Sequence, residues 1–195
     1  MRILTRRNAL FGVYFAAAIV IISGAGVVAF YKYTKDTGLR EAANIGVEDA
    51  SNSIRHAYAA GEAYAALRAV GLPEDTAEHA VTEFGIVNEW IKRYFKTRPD
   101  STAKVYKDLF NNLSGIATAR WLEKCETAEE PPPLLQIITS LAAKSSVIIL
   151  ENDARIPSLP KGSVVSAAIR QFRIDRDKIA SGVTNDLNKS RPGCV

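Results

Sequence analysis

Residues 9–31 carry no charged side chain, and nothing else in the chain restricts its fold as much. As a helix these 23 residues rise by roughly 34 Å, enough to cover the ~30 Å hydrocarbon core of a bilayer. Arg2, Arg6 and Arg7 precede the run, and Lys32 and Lys35 follow it. Phe30, Tyr31 and Tyr33 stand at its end, where aromatic rings suit a membrane interface. The expected element is a single transmembrane helix that holds the chain to a lipid bilayer. Its length exceeds the roughly 7–15 apolar residues of a secretory signal. Ser23-Gly24-Ala25 and the Arg6-Arg7 pair leave export after cleavage as the alternative. The excess of positive charge before the run puts the N-terminus in the cytoplasm and the C-terminal body in the periplasm of a bacterial inner membrane.

Charge is distributed unevenly. Residues 1–35 hold five of the 25 Lys and Arg and none of the 21 acids, leaving 20 positive against 21 negative in the remainder. A body so close to neutral lacks the positive field that phosphate neutralisation requires, which argues against nucleic-acid binding. Its 160 residues are enough for one core. The organisation expected is a tip and anchor over 1–35, a juxtamembrane linker over 36–48 and a helical domain over 49–195. Within that domain 49–125 holds the motif-bearing helices, 126–133 is a Pro-rich linker and 134–195 forms two C-terminal helices.

The body is expected to be all-α, a multi-helix bundle without strand alternation. Residues 49–70 are alanine-rich, with Asp49 or Ser51 to cap the start and Gly71 to stop the helix. Pro73 opens a second helix with Glu74 and Asp75 in its first turn. Along it Ala77, Ala80, Val81, Phe84, Val87, Ile91 and Phe95 recur at three and four residues, so this face is expected to be core. Residues 101–124 read as helix with an interruption around Asn111, Asn112 and Gly115. Residues 134–151 are strongly apolar, but Gln136 and Lys144 make a buried helix the better reading than a second membrane span. A last amphipathic helix uses Val165, Ile169, Phe172, Ile179, Val183 and Leu187. Cys125 and Cys194 would close a loop worth on the order of 4 kcal/mol in an oxidising compartment.

A short set of polar residues sits where a bland helix would not need them. Asn52, Arg55, His56 and Glu62 share one stripe of the first helix; Glu83 lies on the second; Asp108, Asn111 and Asn112 lie on the third, with Gly115 permitting close backbone approach. The catalytic candidates are His56, Glu83 and Asp108, a histidine and two carboxylates suited to general acid–base work. The binding candidates are Asn52, Arg55, Glu62, Asn111 and Asn112, able to orient an anionic group. The alternative is structural: Arg55 paired with Glu62 or Glu83, and His56 and the asparagines satisfying buried polar groups. His79 and Glu83 at i and i+4 lack a third metal ligand, and no cofactor motif is present.

Asn52-Ser53-Ile54-Arg55-His56-Ala57, a helical glutamate about 25 residues later, and Asp108-Leu109-Phe110-Asn111-Asn112-Leu113-Ser114-Gly115 resemble the N-x-x-R-H-A and D-x-x-N-N-x-x-G motifs of a small helical domain of unknown function from bacterial and phage proteins. The resemblance covers residues 49–120 and implies a helical fold, with no settled activity to carry over. The family often has a histidine where Thr82 precedes Glu83.

Two functions are compatible with these features. One is a membrane-anchored binding or accessory component of the envelope, acting with a membrane-protein partner or as a homodimer. It requires an exposed apolar or small-residue patch, expected along 134–151. The other is an anchored hydrolase or toxin-like enzyme, which requires His56, Glu83 and Asp108 to converge on an open cleft.

Overall fold

The computed structural model describes residues 32–44, 50–95, 101–125, 133–144, 147, 152–158 and 165–190. Every regular element among them is a helix. Residues 32–44 are helical (α1), followed by α2 (Ala50–Ala69), α3 (Glu74–Phe95), α4 (Thr102–Glu123), α5 (Leu134–Ala143) and α6 (Val165–Ser190). The protein is all-α, as its sequence pattern indicates. No described helix is long and apolar enough to cross a membrane, and the run 9–31 lies outside the described residues.

Helix α4 is the axis of the bundle. It runs without a break through Asn111, Asn112 and Gly115, so the expected interruption is absent. Tertiary packing overrides the local signal: Asn111 and Gly115 are buried, Asn112 Oδ1 bonds His56 of α2, and Gly115 lies against the Ala57 carbonyl. Ser101 caps its start by accepting the Lys104 amide at 3.0 Å. Pairings place α2 parallel to α4, with Asn52 opposite Asp108, His56 opposite Asn112 and Tyr64 opposite Glu123. Helix α3 runs antiparallel to α4, from Glu78 against Arg120 to Lys92 against Asp108. Helix α6 returns parallel to α4, from Asp175 on Tyr106 to Asn188 on Trp121.

Gly115 sets the closest approach. A Cβ there would sit inside the Ala57 carbonyl, and a Cβ on Gly61 would lie 2.9 Å from the Gly115 carbonyl oxygen. Small residues therefore bring α2 and α4 nearly into backbone contact. The helix stop at Gly71 has a left-handed φ of 90°, the conformation that favours glycine after a helix.

Apolar packing surrounds α4 on three sides. Ile54, Ala57, Trp121, Ile138, Leu141 and Val183 form one cluster, Tyr106, Leu109, Leu113 and Phe172 a second, and Tyr64, Ala77, Val81 and Ile116 a third. All six α6 residues assigned to the core are buried. Part of the expected linker, residues 36–44, is helical and docks on α2: Ala42 joins the core, and the Tyr33 and Tyr58 hydroxyls meet at 3.2 Å. Cys125 is disulfide-bonded, while Cys194, the other cysteine, lies outside the described residues.

Helix α3 departs most from expectation. Of its assigned core face only Ala77 and Val81 are buried, whereas Phe84, Val87, Ile91 and Phe95 are exposed. The opposite stripe, with Glu78, Thr82, Gly85, Ile86 and Glu89, faces the bundle instead. Charged partners make that orientation tolerable. Buried Glu78 accepts from Arg120 of α4 at 3.1 Å and from Arg176 of α6 at 2.5 Å, so a carboxylate costly to bury alone is paired on both oxygens.

Candidate functional site

Five of the eight candidate residues meet where α2 crosses α4. His56 Nε2 lies 3.3 Å from Asp108 Oδ2, and Nδ1 lies 3.0 Å from Asn112 Oδ1. Asn52 Nδ2 donates to Asp108 Oδ1 at 3.1 Å, and Arg55 Nη2 donates to Asn52 Oδ1 at 2.6 Å. The parallel arrangement of the two helices explains the convergence: 56 residues separate both Asn52 from Asp108 and His56 from Asn112, so successive turns meet in register.

Both imidazole nitrogens are engaged inside the protein. With an oxygen acceptor beside it, Nδ1 donates to Asn112. Nε2 then either donates to Asp108 in the imidazolium or accepts from Arg55, whose Nη2 is 3.3 Å away, in the neutral ring. Only 9% of His56 and 1% of Asp108 is exposed. Burial works against ionisation of Asp108, but His56, through its charge and hydrogen bond, together with Lys92 and Lys107 outweighs it and holds the carboxyl well below the usual carboxylate range.

The remaining candidates lie elsewhere. Glu83 is on the outer part of α3 and accepts Arg173 of α6 at 3.0 Å on each oxygen. Glu62 bonds the Tyr58 hydroxyl, which burial, together with Tyr33 and Glu62, pushes above its usual range. Asn111 is fully buried within α4.

The α3 carboxylate that does reach the cluster is Glu89. Lys92 donates to Glu89 Oε1 and lies 3.5 Å from Asp108 Oδ2, joining α3 to the network. Glu89 is 1% exposed, and its Oε2 has no hydrogen-bond partner among the described residues. Burial pushes its carboxyl up; Lys92 and His56 pull it down, and Asp108 adds to the rise. Glu78, Thr82, Gly85, Glu89 and Lys92 recur at four and three residues, a polar stripe that would have marked this face as the buried one.

Among the described residues no group of three or more His, Cys, Asp or Glu is placed to hold a metal ion. A separate cleft of about 470 Å³ lies between α4 and α6, lined by Ile116, Arg120, Trp121, Lys124 and Thr184. None of the His56 cluster borders it. Comparison with family models, curated proteins and solved structures finds no match to the chain.

Proposed function

We propose that this protein is a membrane-anchored binding or accessory component of a bacterial envelope that works through the outer face of α3. The observation that carries the reading is the exposure of Phe84, Val87, Ile91, Tyr94 and Phe95, at 66, 49, 49, 78 and 85%. They form one stripe at helical spacing, opposite the stripe that faces the bundle. Scattered exposed apolar residues are ordinary, but a contiguous set of this size is the signature of an interaction surface. The patch lies on α3; among the described residues of 134–151, the stretch expected to carry it, Ile137, Ile138, Leu141, Ala142 and Val147 are buried.

The uncharged run 9–31 supports attachment to a bilayer. The disulfide at Cys125 supports an oxidising compartment for the body. The hydrolase reading has less behind it: a general acid or base needs a nitrogen free to meet substrate, and both nitrogens of His56 are bonded internally while Glu83 is paired with Arg173. The His56 cluster is better explained as the joint that holds α2, α3 and α4.

The test is a photoreactive side chain at position 91 of the full chain, irradiated in the cells that make the protein. An adduct that disappears with Phe84→Asp is expected. Its absence in folded protein would overturn the reading.

A further inference from the structure

We propose that the surface covering the α3 face is the same face of a second copy of this chain, forming a two-fold antiparallel helix pair. The inference rests on α3 being a docking face and names its occupant. Phe84, Val87, Ile91 and Tyr94 are spaced three, four and three residues apart, the alternation of the apolar positions in a heptad. This is the a/d seam of two packed helices, and each knob would enter a hole in the identical surface of the other helix. Two-fold pairs use one self-complementary patch in this way.

Area favours the same occupant. At about 200 Å² per aromatic side chain, Phe84, Tyr94 and Phe95 leave roughly 450 Å² uncovered. Val87 and Ile91 extend this toward the ~800 Å² that each partner contributes to a stable interface. The stripe itself carries no charge, so a second copy brings no like charges into the seam.

Charge at the helix ends fixes the direction. Exposed Asp75 lies in the first turn of α3 and exposed Arg93 in the last; Glu74 and Lys92, in the same turns, are paired within the chain and add little to the outer field. Antiparallel pairing sets the acidic end of each helix toward the basic end of the other, whereas parallel pairing sets like against like. The acidic half also disfavours an anionic lipid surface, which takes helices whose polar flanks are basic throughout.

The experiment uses the full chain, co-expressed in two epitope-tagged forms with Val87→Cys and treated with a short bismaleimide. A covalent dimer carrying both tags is expected, at least tenfold more abundant than with Lys178→Cys on exposed α6. Adding Ile91→Asp or Tyr94→Asp should reduce it tenfold with an unchanged circular dichroism melt. An adduct at position 91 with a different macromolecule, without the tagged dimer, would overturn the second copy and leave the docking face standing. Equal dimer from Val87→Cys and Lys178→Cys, or no adduct at either position 87 or 91, would overturn the inference; the last would overturn the docking face as well.

Discussion

Asp108 and Asn52 are joined by a 3.1 Å hydrogen bond across 56 residues of chain, and His56 closes on the other oxygen of the same carboxylate. One buried carboxylate therefore ties two turns of α2 to α4, and through Lys92 it reaches α3. Breaking one side of such a buried ionic cluster costs about 3–5 kcal/mol. Asp108→Asn is expected to destabilise the full chain by about 3 kcal/mol at pH 7, measured by urea unfolding. The sign with pH follows from the lowered carboxyl: its contribution is complete above the unfolded value of about 4 and disappears as pH falls through the folded value. Below pH 4 the parent should lose stability more steeply than the variant.

Glu89 should behave in the opposite sense. Its carboxyl is raised, mainly by burial, so its favourable contribution is present below the unfolded value of about 4.3 and decreases as pH rises through the folded value. Glu89→Gln is expected to be within about 1 kcal/mol of the parent at pH 8, although it removes the bond from Lys92, because it also removes a buried charge with an unpartnered oxygen. Paired urea titrations at pH 4 and pH 8 check this. A loss at pH 8 as large as that of Asp108→Asn would contradict it.

Gly115→Ala places a methyl group inside the Ala57 carbonyl. Backbone on both helices must separate, so a loss of about 3 kcal/mol or more is expected, at the upper end for overpacked sites. Gly71→Ala meets no neighbouring atom and suffers only from its left-handed φ, at about 1 kcal/mol. Thermal unfolding of the two variants should rank them in that order.

His56→Ala should destabilise by about 1–3 kcal/mol, since it leaves Asp108 and Asn112 short of a partner. It should not reduce the photo-adduct at position 91. Loss of the adduct in folded His56→Ala protein would connect the cluster to binding directly.

The motif residues were legible because parallel helices α2 and α4 bring equal sequence offsets together, and short polar residues at three- and four-residue spacing mark that seam. Gly71 and Pro73 likewise announce their helix boundaries through local chemistry. The orientation of α3 is not legible because its apolar stripe is the stronger periodic signal, and periodicity does not tell a face buried by its own chain from one left exposed. Glu78 and Glu89 look like surface residues until Arg120, Arg176 and Lys92 arrive from distant or adjacent turns. Glu83, which the motif pattern favours, lies about one and two-thirds turns from Glu89 and pairs with Arg173 of α6 instead.

Thiol labelling at position 87 tests the central claim most directly. In the full chain carrying Val87→Cys, with Cys125 unreactive in its disulfide, the new thiol should react slowly with a bulky maleimide in intact membranes. Ile91→Asp should raise the rate to that of Lys178→Cys. Equal rates at positions 87 and 178 without that second substitution would show the α3 face to be uncovered and would contradict its role as a docking surface.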